Sequence, residues 1–230
     1  LNSQTLDNSA GLLQGDGLLT VSNTGIAINR GGRVISGQRL DLSIGQLDNR
    51  GGVVSSVADL NFTGKQFDNS AGGRLLANGA LNLTLEQLNN VQGTVRSDNA
   101  LTRQATTLNN DSGRISSGAA QQLVTSGALS NRSGEMLSAM ALTVSSANLD
   151  NSGGKLTGDG AVRVTTGALN NQSGGRLTSA DRLDLTAGQV DNRFDGHIAS
   201  NQPLTASVTG LDPPGGGQPY SLSDLSLDIN

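Results

Sequence analysis

The sequence predicts an all-β solenoid, a parallel β-helix of about eleven rungs of 20–21 residues, and three observations carry that reading. An asparagine returns at Asn8, Asn29, Asn49, Asn69, Asn90, Asn110, Asn131, Asn151, Asn171 and Asn192, always 20 or 21 residues after the last. Between these anchors short stretches alternate apolar and polar residues with period 2, as in "ALNLTL" (80–85), "AVRVTT" (161–166) and "RLDLT" (182–186). No window shows the i, i+3, i+4 spacing of an amphipathic helix. A short fixed period over a whole chain means one unit stacked on itself, because no single unit can bury its own apolar face.

Each element of the rung has a physical reason, taking the asparagine as position 0. The alternating stretch places its inward residues at positions −9 and −7 and reads as strand, three to five residues long before turn residues interrupt it. Position −2 is apolar: Leu6, Ala27, Leu47, Phe67, Leu88, Leu108, Leu129, Leu149, Leu169 and Val190. The asparagine follows at a corner. Stacked in register at about 4.8 Å, each amide donates to one neighbour and accepts from the other. Asparagine also tolerates the left-handed backbone of a sharp corner. A glycine comes three residues later, at Gly11, Gly32, Gly52, Gly72, Gly93, Gly113, Gly134, Gly154 and Gly174, slipping by one to Gly196 in the Asn192 copy. It is expected to supply positive φ or close packing between rungs. A second apolar column follows it: Leu13, Val34, Val54, Leu75, Val95, Ile115, Met136, Leu156, Leu177 and Ile198. These columns line a narrow core. About eleven rungs give a shaft of roughly 50 Å.

Composition narrows the function classes. Hydrophobic content is 34%, with three Phe, one Tyr and no Trp, which suits a core too thin for large rings. The net charge of −4 gives no support for nucleic-acid binding or for an anionic-membrane patch. There is no cysteine, so no disulfide framework, thiolate nucleophile or cysteine zinc site. No run of 18 apolar residues exists to span a membrane, and no signal peptide is read at Leu1. The repeat is already running at residue 1, which reads as a piece of a longer shaft.

The stretch "LDNSGGKLTGDGAVRVTTGALNNQSGGRL" (149–177), with "QLDNRGGVVSS" (46–56) and "RLDLTAGQVDN" (182–192), resembles the haemagglutinin repeats of filamentous haemagglutinin and of the large contact-dependent growth inhibition toxins. The resemblance runs from Leu6 to about Gly217. It implies a right-handed parallel β-helix, export of the parent by an outer-membrane secretion partner, and display at the outer surface of a Gram-negative cell. There the filament meets a receptor or glycan on a target cell, while the shaft is neither toxin nor secretion domain. Residues 1–210 form the regular part. At 211–230 the pattern degenerates: in "LDPPGGGQPY" the eleventh anchor is Pro213, next to Pro214, and proline cannot donate to a ladder.

Candidate sites are few. The column just before the second apolar one contains Arg33, Arg74, Arg114, Lys155, Arg176 and His197, interrupted by Val53, Thr94 and Glu135. On a stacked rod it forms a stripe that either meets a polyanion or is a solvated face. Asp7, Asp48, Asp68, Asp150 and Asp191, beside the anchors, suit turn capping better than calcium, which needs six to eight converging oxygens. "GDG" at 15–17 and 158–160 reads as turns. His197 has no nucleophile or acid partner at a recognisable spacing. "NDS" (110–112), "NRS" (131–133) and "NQS" (171–173) are sequons whose asparagines should point inward, unmodified. No cofactor or metal site is read. Polysaccharide-degrading β-helices build clefts from long loops, and the near-constant spacing here argues against one.

Overall fold

The computed structural model describes residues 1–211, 217 and 219–229; the anchor substitution at Pro213 and Pro214 lies outside them. The described residues contain strand and turn but no helix, and every strand pair is parallel. The chain coils about eleven times into a β-solenoid with two sheets, one of 15 strands and one of 11.

One turn illustrates all. Leu40–Asp48 is a long strand, the corner at Asn49 follows, Val53–Ser56 is a short strand, and a second turn leads into Leu60–Asp68 one rung on. Each residue pairs with its equivalent 20 or 21 positions later, so Leu40 meets Leu60 and Leu47 meets Phe67. The long strands, nine residues in five of the turns, exceed the three to five expected. Their inward residues explain why. Leu40, Leu42 and Ile44 point inward, then the phase slips and Leu47 does. The strand bends at Gly45, which pairs with neither neighbouring rung, and the ladder resumes at Gln46; alternation alone cannot see past the slip. The bend becomes a break in three successive turns, where Leu81–Thr84 separates from Gln87–Asn89, Leu101–Ala105 from Thr107–Asn109, and Gln121–Thr125 from Ala128–Ser130.

The core is a set of columns, each buried by its neighbours above and below. Leu40, Leu60, Leu81 and Leu101 stack in one, and Val54, Leu75, Val95 and Ile115 in another, all at most 1% exposed. Phe62 and Phe67 are the only aromatics in the core and meet edge to face with centroids 5.1 Å apart.

The corner corrects one expectation and resolves another. Positive φ falls two residues after the anchor, at Ala10, Gly31, Gly51, Ala71, Gln92, Ser112, Ser133, Gly153, Ser173 and Phe194, and never on the anchor itself. The asparagine keeps ordinary backbone because its task is carried by its side chain. The glycine after it serves close packing: a Cβ on Gly113 would lie 2.1 Å from the Asn90 carbonyl oxygen of the preceding rung. In the Asn69, Asn171 and Asn192 turns an additional left-handed residue (Gly72, Gly174 or Asp195) is inserted, and the close-packed glycine becomes Gly73, Gly175 or Gly196.

Candidate functional site

The anchors form a continuous side-chain ladder. Nδ2 of Asn8 donates to Oδ1 of Asn29 at 2.6 Å, and the pattern runs through every anchor to Asn171, whose Nδ2 donates to Asn192 at 2.7 Å. All nine bonds point the same way. Each interior amide nitrogen also approaches a backbone carbonyl of the next rung, as from Asn110 to Glu135 at 3.2 Å. From Asn29 onward the anchors are at most 2% exposed. Burying so many amides is tolerable because each has its partners.

A second polar column was not anticipated. Ser36, Ser56, Ser97, Ser117, Ser138, Ser179 and Ser200 are buried where the second turn closes. Their hydroxyls donate to turn carbonyls, as from Ser97 to Gly79 at 2.8 Å and from Ser179 to Gly160 at 2.9 Å. The signal was present as a serine seven or eight residues after seven of the ten anchors, but a small polar run looks like surface. Only the coil's closure shows which member turns inward.

The aspartates beside the anchors cap turn amides and bind neighbouring arginines. Asp48 accepts from the Arg50 backbone at 3.3 Å and from its guanidinium at 2.8 and 3.0 Å, with Arg30 adding a bond at 2.6 Å. The Arg50 bond above all holds the Asp48 carboxyl at a pKa of about 2.

The register places the basic stripe in one column of the shorter sheet: Arg33, Val53, Arg74, Thr94, Arg114, Glu135, Lys155, Arg176 and His197, one per rung. Glu135 divides it, pairing with Arg114 on one side and with Lys155 at 2.7 Å on the other. The Lys155 hydrogen bond, more than the Arg114 charge, lowers the Glu135 carboxyl below the usual range. Arg96 lies in the adjacent outward column, so Arg74, Arg96 and Arg114 border a shallow groove of about 270 Å³. Arg96 is already paired with Asp98 at 2.7 Å.

A larger open groove, about 630 Å³, lies over the three turns whose long strand breaks. Its walls include Gln87, Asn89, Gln92, Thr107, Asn109 and Ser130, amide and hydroxyl side chains without a formal charge. Beneath the break sits Arg103. It occupies the inward column that holds Leu42, Phe62 and Leu83 before it and Leu123 and Val144 after it, and it is 0% exposed. Its Nη2 donates to the Thr107 carbonyl at 2.7 Å. Thr107 is also where pairing with the following rung lapses: only Leu108 and Asn109 find partners there. Burial pushes the guanidinium's pKa below its ordinary value. The sequence signal is an arginine at position −7, where the other turns carry aliphatic or Phe residues except for Ser22.

Haemagglutinin-repeat family models match residues 1–84, 71–133, 138–187 and 183–218. No curated protein and no solved structure matches the chain. Repeats of this kind stacked in a β-solenoid fit the shaft of a filamentous adhesin-type protein, and the family points to secreted or cell-surface filaments. With matches over almost all of its length and an amide ladder at the repeat's own period, the chain belongs to the haemagglutinin-repeat family.

Proposed function

We propose that this chain is part of the shaft of a contact-dependent growth inhibition toxin or adhesin, a rigid spacer that holds receptor-binding and toxin regions out toward another cell. The parent would leave through an outer-membrane secretion partner and stand on the outer surface of a Gram-negative cell. The observation that carries this is the unbroken ladder: nine amide bonds clamp successive rungs, and from Asn8 to Asn192 no turn departs from the 20–21-residue length to build a loop-walled cleft. Stiffness follows from the stacking, since bending the rod means stretching backbone and amide ladders together. A second reading, a module that binds a receptor or glycan through its own face, draws on the Arg74–Arg96–Arg114 groove.

Fluorescent fragment on washed bacteria and on epithelial cells separates the two. The spacer reading expects no saturable binding to either. Saturable binding to one cell type that Arg74→Glu reduces at least tenfold would replace it with the binding-module reading.

A further inference from the structure

Arg103 is a cation that the core does not answer. It is wholly buried, and among the described residues its only hydrogen-bond partner is the Thr107 carbonyl, while its Nε and Nη1 groups meet no acceptor. The buried polar side chains among the described residues are Asn, Ser, Thr, Gln and Arg103 itself, with no Asp or Glu. No carboxylate therefore neutralises it from inside. Shedding the proton is no escape near neutral pH, because a guanidinium keeps it. A desolvated, uncompensated charge is among the costliest features a core can hold.

Three properties define what would complete the site. The occupant must accept hydrogen bonds from Nε–H and Nη1–H, carry negative charge, and have no proton of its own to place. It must also be small, since Leu83 and Leu123 flank Arg103 in the same column. Ala105, two residues on, packs against the core with only a methyl side chain and pairs with Thr125 of the following rung. We propose that Arg103 binds a halide ion, chloride under ordinary conditions, within the solenoid core. A water molecule could accept the same bonds but would leave the charge unopposed, and is the competing occupant.

The test uses the whole 230-residue chain. Urea unfolding is followed as sodium chloride replaces sodium gluconate at constant ionic strength, in the native chain and in Arg103→Leu. Leucine is the column's own residue type, so that variant should fold. The halide site expects the native chain's unfolding constant to fall about tenfold for each tenfold rise in chloride above the dissociation constant, with bromide acting likewise and Arg103→Leu indifferent. Crystals of the native chain grown in bromide should show an anomalous peak at hydrogen-bonding distance from Arg103 Nε. Equal unfolding in chloride and gluconate, the same chloride response in both chains, or a water in place of the anomalous peak would overturn the proposal. Should Arg103→Leu fail to fold, the bromide crystal decides alone.

Discussion

Replacing Asn110 with leucine removes one step of the ladder while keeping the branching of the side chain, with two bulkier methyls in place of the amide atoms. Asn110 accepts from Asn90 at 2.6 Å and donates to Asn131 at 2.7 Å, with weaker contacts to the Gly113 and Glu135 carbonyls at 3.2 Å. The variant strands two buried groups, the Asn90 amide N–H and the Asn131 carbonyl oxygen. Each costs about 1–3 kcal/mol. Asn90 keeps longer approaches to Gly93 and Arg114 at 3.3 Å, which softens its share. Gly113 O still accepts from Glu135 N at 2.9 Å, so it adds little. The expected loss is about 2–4 kcal/mol, read from urea unfolding of the whole chain. Hydrogen exchange should show the loss centred on the rungs of Asn90, Asn110 and Asn131, since repeat stability is approximately a sum of neighbour terms. Asn8→Leu is the internal control. Within this chain Asn8 donates to Asn29 but accepts from no preceding anchor, and it is only partly buried. It should cost less than half as much. Equal losses for the two variants, or a loss under about 1 kcal/mol for Asn110→Leu, would refute the ladder as a source of stability.

Other outcomes follow from the same geometry. Gly113→Ala drives a methyl to 2.1 Å from the Asn90 carbonyl and should destabilise by about 3 kcal/mol or more. Gly51→Ala, at φ +62° with its nearest neighbour 3.7 Å away, should cost only about 1 kcal/mol; thermal melts of the pair separate steric from conformational roles. Ser97→Ala loses hydroxyl bonds to Gly79 and Ala100 and should cost about 1 kcal/mol in a urea titration, since the same column already holds Ala77. Asp48 binds fewer protons when folded, because its pKa falls from 3.8 to about 2. Its stabilisation is complete above the unfolded pKa and fades as pH drops from about 5 toward 2. Half-exposed Arg50 limits it to about 1–2 kcal/mol. Asp48→Asn should remove that part of the acid dependence in melts run at pH 2–6.

The architecture was legible because a repeat multiplies a weak local signal. One "LDNSGG" is only a turn, but ten at a 20–21-residue period allow little besides stacked coils, and stacking forces the anchors into one column. The basic stripe was legible as a column for the same reason, but its division was not energetically visible: the pairing of Glu135 with both Arg114 and Lys155 depends on side chains meeting across rungs. The buried serines were missed because period-2 alternation loses its phase at each corner.

What the sequence determined alone was therefore the unit, its period, and the residues that repeat with it. The tertiary structure decided direction and depth: that the left-handed residue sits two places after the asparagine, that the long strand bends instead of ending, and that Arg103 is sealed inside among aliphatic neighbours. The physical reason is closure. A residue's inward or outward orientation depends on the accumulated turn of the whole coil and on what lies one rung above and below, about 20 residues away along the chain, where no local pattern reaches.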